Sequence, residues 1–82
     1  MKTVLITGAT SGIGKACAMK FGEAGYRVIA WGRNKEKLTR LNQQMQSEIM
    51  PMGVDVCNRE QVKLAIEHIH ADWKPIDVLI NN

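Results

Sequence analysis

The chain has 82 residues, 45% of them hydrophobic, and a net charge of +3, the balance of one small globular domain and not of a disordered or fibrous chain. No apolar run approaches the ~20 residues of a membrane-spanning helix, and Val4–Ile6 is too short for a signal-peptide core. A cytoplasmic protein with no membrane partner is therefore expected.

Lys2–Ile6 reads as a buried parallel strand, apolar and β-branched. It runs directly into Thr7-Gly8-Ala9-Thr10-Ser11-Gly12-Ile13-Gly14. A strand feeding a glycine-rich turn that opens a helix is how proteins build a cradle for nucleotide phosphates. The first glycine allows a sharp turn, the second lets backbone N–H groups approach a pyrophosphate, and the third lets the helix pack closely on the sheet. The spacing is G-x-x-x-G-x-G, not the commoner G-x-G-x-x-G. It is not a P-loop either, because Lys15 is followed by Ala16 and the magnesium-binding hydroxyl is missing.

Ile13, Ala16, Cys17, Phe21 and Ala24 recur at helical spacing and predict an inner face, with Gly25 as the stop. Arg27–Trp31 is the second strand. Gly32-Arg33-Asn34 turns into a second helix, with Asn34 as N-cap and Leu38, Leu41 and Met45 facing inward. Met50–Val54 is the third strand, the least regular because of Pro51 and Gly53. Asn58 and Gln61 form the signature of a capping box for a third helix with the stripe Val62, Ala65, Ile66 and Ile69. Trp73-Lys74-Pro75 breaks that pattern before a fourth strand, Asp77–Asn81. Such strand–helix alternation requires parallel strands joined by right-handed crossovers, an α/β fold.

The charge is unevenly placed: residues 1–44 hold eight Lys and Arg against two Glu, and residues 45–82 hold three against six acids. The basic excess peaks at Arg33, Lys35, Lys37 and Arg40. Without aromatic interleaving or a nucleic-acid motif, it suits a small anion or a solvated helix face, and no nucleic-acid partner is expected. The end of the second strand decides which adenosine ribose a dinucleotide site takes. An acid there binds the 2′-OH of NAD, whereas an Arg accommodates the 2′-phosphate of NADP. Here the chain reads Ala30-Trp31-Gly32-Arg33-Asn34, so NADP is expected over NAD. Arg33 is the main contact, with Asn34 and Lys37 assisting. Thr10 and Ser11 can bond the phosphates or simply hold the turn.

Cys17 and Cys57 form no C-x-x-C pair and read as reduced thiols, Cys17 towards the core and Cys57 in a loop without a role. His68 and His70, at i and i+2, point to different faces, and no metal site is expected.

The glycine motif, the basic residue after the second strand, Asp55-Val56 after the third and Asp77-Val78-Leu79-Ile80-Asn81-Asn82 at the fourth resemble, in order, the short-chain dehydrogenase/reductases of the non-extended type. The resemblance implies a Rossmann-type doubly wound parallel sheet, of which residues 1–82 are the N-terminal cofactor-binding part of one domain, truncated after the fourth strand, in the order 3-2-1-4. It implies that Gly8, Ala9, Thr10, Ser11, Gly12, Ile13 and Gly14 meet the cofactor, that Asp55 and Val56 meet its adenine, and that Asn81 steadies the sheet while Asn82 lies along a ribose. It places a catalytic Tyr-x-x-x-Lys pair, with a Ser and an Asn, beyond Asn82. Tyr26 is followed four residues later by Ala30, so it is not that acid/base, and no catalytic residue is expected in this stretch.

The function expected from this likeness is an NADP-dependent oxidoreductase that reduces a carbonyl or oxidises a secondary alcohol, homo-oligomeric as a full-length protein. The Trp31-Gly32-Arg33-Asn34 turn leans towards members acting on small 3-hydroxy acids such as serine. The alternatives are a non-catalytic nucleotide-binding or regulatory module, or an inactive truncated fragment. As an isolated piece, the four strands are expected to leave the second face of the sheet bare and the edge of the fourth strand open.

Overall fold

Thr3–Ile6 and Val28–Gly32 are buried along their whole length, so both faces of each strand must be covered. In the computed structural model, which describes residues 1–82, β1 (Thr3–Ile6), β2 (Arg27–Gly32), β3 (Ile49–Gly53) and β4 (Val78–Ile80) form one parallel sheet in the order β3-β2-β1-β4. The crossovers are α1 (Gly12–Glu23), α2 (Lys35–Gln44) and α3 (Arg59–His68), with a short 3-10 turn at Ala71–Trp73 before β4. Strand order and element sequence are those expected.

Right-handed crossovers fix where the helices lie. The steps β1 to β2 and β2 to β3 run the same way across the sheet, so α1 and α2 share a face. There Ala18, Leu38 and Leu41 pack on Val4, Ile6, Val28 and Ala30. The return from β3 to β4 reverses direction and puts α3 on the other face, where Ala65, Ile69 and Val54 pack on Leu5, Ile29 and Trp31. The second face is therefore not bare, as expected from an isolated sheet, because α3 closes it over β1 to β3. What stays open is β4, which pairs only with β1 and carries Leu79, 63% exposed, beside Leu5.

The strand ends shift by at most one residue from the sequence reading. The edge position of β3 explains how it accommodates Pro51: the strand pairs only with β2, so one side of its backbone needs no donor. At β4 the Asp77 carboxylate accepts the Thr3 amide at 2.8 Å, and regular pairing begins one residue later. Asn34 and Asn58 cap their helices, each accepting an amide three residues on at 3.1 Å. The capping box at Asn58 is not closed, however. Gln61 Oε1 instead accepts the Asp55 amide at 2.8 Å.

Two inner faces differ from expectation. On α1, Ile13, Ala16 and Ala24 are exposed, and the buried positions are Gly14 and Ala18, with Cys17 and Phe21 half-buried. Close approach of the helix start to the glycine turn leaves space for a glycine and none for isoleucine. On α3, Ile66 is 49% exposed and the stripe is Val62, Ala65 and Ile69, at spacings of three and four. Tyr26 packs edge-on against Phe21, with ring centroids 4.9 Å apart. At the amino end of the sheet, Arg27 lies over the Trp73 ring and donates to the Asp72 carbonyl, which anchors the turn into β4. Both cysteines are free.

These placements predict a contrast between two isoleucines. Ile29→Ala, at a site with no exposure, should lower the unfolding free energy by ~2–5 kcal/mol. Ile66→Ala should change it by ~0.5 kcal/mol or less, as surface substitutions do. Urea melts of the two variants measure both, and similar losses would place Ile66 in the core after all.

Candidate functional site

All four strands end on the same side of the sheet, where the turns into the three helices gather. Gly8 (φ 60°) and Gly12 (φ 53°) take left-handed backbone conformations that L side chains rarely adopt. The chain thus leaves β1, doubles over and re-enters as α1. Gly14 then sits against that turn so closely that a Cβ would overlap the Gly8 carbonyl. A Cβ at Gly12, in contrast, would meet nothing within 4 Å. The three positions thus differ in geometry: a left-handed turn at Gly8, open space at Gly12 and a close backbone contact at Gly14.

Hydrogen bonds tie this loop to its neighbours. Ala9 N–H donates to the Trp31 carbonyl of β2 at 3.0 Å, and Thr7 N–H donates to the Ile80 carbonyl of β4 at 3.0 Å. The nearly buried Thr7 hydroxyl accepts the Asn82 amide at 3.0 Å and donates to Asn81 Oδ1 at 3.2 Å. Asn82 Nδ2 donates in turn to the Gly8 carbonyl at 3.2 Å. The two asparagines thus lock the end of β4 to the glycine turn.

Between these turns lies an open cleft of about 650 Å³. Of the residues predicted to form a site, Gly8, Thr10, Ser11, Arg33, Asn34, Asp55, Val56 and Asn82 line it, and Lys37 joins them. Ala9, Gly12, Ile13 and Gly14 do not. Ala9 is fully buried beneath the loop, and Gly14 is buried under Gly8. Gly12 and Ile13 stand on the open side of the turn, Ile13 with 73% of its surface exposed. Gly32, Val54 and Cys57 also line the cleft and were given no site role in the sequence reading. A Cβ at Gly32 would come within 2.8 Å of Thr10 Cγ2, so the first and second turns meet closely there.

The charged side chains on the lining are two cations, Arg33 and Lys37, and one acid, Asp55. Ser11, the N-cap of α1, makes no side-chain cap hydrogen bond, and the first turn of α1 holds no acid. The partial positive charge at that helix end is therefore uncompensated within the chain. The ion pairs of the structure are Lys20–Glu23, Arg40–Glu36 and His70–Asp72, so Arg33 and Lys37 have no carboxylate within 4.0 Å. Asp55 is the one acid on the lining. Its Oδ1 accepts the Cys57 amide at 2.9 Å, which shapes the turn after β3, and Oδ2 takes no part in that bond. No three His, Cys, Asp or Glu side chains come together as a metal site, and no helix is long and apolar enough to cross a membrane.

The family model described as short chain dehydrogenase matches residues 2–82. The NADP-dependent 3-hydroxy acid dehydrogenase YdfG of Salmonella typhi is 40% identical over 79 residues, 96% of this chain and 32% of that protein. Serine 3-dehydrogenase of Rhizobium radiobacter is 39% identical over 80 residues, 98% of this chain and 32% of that protein. Among solved structures, the closed form of serine dehydrogenase complexed with NADP+ superposes with a TM-score of 0.89 at 35% identity, covering 94% of this chain and 31% of that one. The chain thus spans about a third of the length of the curated relatives it matches.

The glycine geometry predicts unequal penalties. Gly12→Ala has room and should cost ~1–2 kcal/mol for its left-handed backbone alone. Gly14→Ala meets a backbone carbonyl that cannot step aside and should cost ~3 kcal/mol or more, at or beyond the upper end of overpacking effects. Equal losses in denaturant melts would show that α1 does not rest on the Gly8 carbonyl.

Proposed function

The chain belongs to the short chain dehydrogenase family, and from that premise we propose that residues 1–82 are the N-terminal cofactor-binding part of a Rossmann-type domain in an NADP-dependent oxidoreductase. The observation that carries the cofactor choice is Arg33, a guanidinium without an acid partner at the end of β2, on the wall of the cleft. A planar, permanently charged fork in that place fits phosphate oxygens, and no acid stands there to accept a ribose hydroxyl.

In this reading the uncapped start of α1, with the Thr10 and Ser11 hydroxyls, holds the pyrophosphate over Gly12, where no Cβ intrudes. Asn34 keeps a donor for this site. Its Oδ1 caps α2, and the Nδ2 amide, the only part of the side chain able to donate to an anion, is left out of that bond. Asp55 Oδ2 accepts from the exocyclic amine of adenine, and Val56, 48% exposed, offers its side chain to the ring. Asn82, anchored on Thr7 and Gly8, presents the end of β4 to a ribose. Ala9 and Gly14 act from beneath, shaping the loop without touching the cofactor, whereas Ile13 lies exposed at the rim.

When bound, the nicotinamide supplies or accepts a hydride, and the residues above bind and orient the dinucleotide for that transfer. The substrate class we propose is a small molecule with a carbonyl or secondary alcohol. A 3-hydroxy acid is the favoured case, because relatives named for that activity and for serine share about two-fifths of this sequence. We further propose a cytoplasmic enzyme that assembles as a homo-oligomer, with no nucleic-acid partner.

The test is a paired titration. Arg33→Ala should weaken NADPH binding by roughly 10- to 100-fold, the equivalent of one lost charge-assisted contact, and NADH binding by less than about threefold. Fluorescence titration of both cofactors measures it, and equal losses would remove Arg33 from the 2′-phosphate.

A further inference from the structure

The turn between β3 and α3 holds Asp55 by three hydrogen bonds, and one of them reaches outside the turn. The Asp55 carbonyl accepts the Asn58 amide at 2.9 Å, and its Oδ1 accepts the Cys57 amide at 2.9 Å. Both partners belong to the turn itself. The third bond runs from the Asp55 amide to Gln61 Oε1 at 2.8 Å, and Gln61 lies on α3. We propose that Gln61 is a positioning residue for the cofactor base. It fixes the turn so that the Asp55 carboxylate meets the exocyclic amine of adenine, and the site thereby prefers adenine to hypoxanthine. The proposal rests on the reading of Asp55 given above and extends it to α3.

Three observations support it. The first is the direction of the Asp55 amide. Along an extended chain, successive amides point to opposite edges. Val54 N–H turns towards β2 and donates to the Gly32 carbonyl at 2.9 Å, so the Asp55 amide turns to the outer edge, where β3 has no neighbour. Gln61 supplies the acceptor that a further strand would have supplied. The second is that Gln61 is released for this bond. A capping box would send its side chain back to the Asn58 amide, but the Asp55 carbonyl occupies that amide. The Gln61 amide donates to Asn58 Oδ1 at 3.1 Å, which holds the first turn of α3 against the loop. The third is location. Val54, 4% exposed, borders both the cofactor cleft and a cavity of about 390 Å³. Gln61 lines that cavity and not the cleft, so it acts on the base only through Asp55.

An ionised carboxylate only accepts hydrogen bonds, and adenine offers it an amine where hypoxanthine carries a carbonyl oxygen. Displacing the carboxylate therefore costs the adenine nucleotide a contact that the hypoxanthine nucleotide never had.

The experiment is fluorescence titration of the full chain with NADPH and with its hypoxanthine analogue, together with a thermal melt without ligand. Gln61→Met keeps the length of the side chain and removes the acceptor. It should weaken NADPH roughly fivefold and leave the hypoxanthine analogue within about twofold. The ligand-free melting temperature should move by about 3 °C or less, because the lost bond is exposed. Gln61→Ala, a smaller side chain, should behave as Gln61→Met does. Gln61→Glu keeps an acceptor in the same place and should keep the base preference.

Three results would overturn the proposal: an unchanged base preference in the two variants without an acceptor, equal weakening of both nucleotides, or the same loss of preference in Gln61→Glu. Asp55→Ala separates this role from the reading beneath it. If Asp55→Ala removes the base preference and the Gln61 variants do not, only the role of Gln61 is lost. If the unaltered protein binds both nucleotides alike, or Asp55→Ala leaves the preference intact, the adenine reading itself fails and Gln61 falls with it.

Discussion

The contact between Gly14 and the Gly8 carbonyl sets the geometry of everything at the carboxyl edge of the sheet. Because no side chain separates them, the first turn of α1 lies directly on the loop that leaves β1. That closeness aims the helix end, with its free amides, across the strand ends and not away from them. It also fixes which residues of α1 meet the core. With the helix start pressed onto the loop, Gly14 and Ala18 take the inner positions and Ile13 is turned out to solvent.

A loop held from one side alone would still be free to move, and polar contacts from two other strands prevent that. The Ala9 amide joins it to β2, while Thr7, Asn81 and Asn82 join it to β4. Thr7 is 5% exposed, so its hydroxyl has little water to fall back on and gains from the pairs it makes there. Thr10, seated over Gly32, brings the first and second turns into contact. The cleft is thus bounded by loops whose backbones are bonded to one another. Such preorganisation spares a ligand the entropy of ordering its own site.

Much of this was legible in the sequence, for physical reasons that can be named. The element sequence followed from period and punctuation, because buried parallel strands are apolar on both faces and glycine and asparagine mark the turns, while the strand order came from the family resemblance. Less legible were features that depend on how closely two elements approach. Ile13 and Ile66 fit helical stripes in projection, but Gly14 and Ala18 hold the inner positions of α1, and Val62, Ala65 and Ile69 those of α3. Gln61 matched a capping box, yet the Asp55 amide, a donor six residues away in sequence, captured its carbonyl oxygen. Periodicity records which residues share a face. It does not record competition among nearby donors or the distance between two backbones. Ala9 and Gly14 show the same limit within the motif, since they support the candidate site from below while their neighbours line it.

The charge pattern adds a constraint that composition alone would miss. Eight of the eleven basic residues fall within residues 1–44, the half that carries β1, α1, β2 and α2. A surface selected for solubility alone would intersperse acids among them and place any cation near the end of a helix. Here cations gather at the start of α2 and along the facing side of α1, where Lys15, Lys37 and Arg40 share a cavity. Lys15 and Lys37 lie in the first turns of their helices, where the dipole disfavours a cation, whereas Arg40 is paired with Glu36. An anion bound between Lys15 and Lys37 would offset that local cost, because both would then gain a partner. The same residues that weaken the empty fold would therefore stabilise the loaded one, and ligand binding and folding become linked at this edge of the sheet.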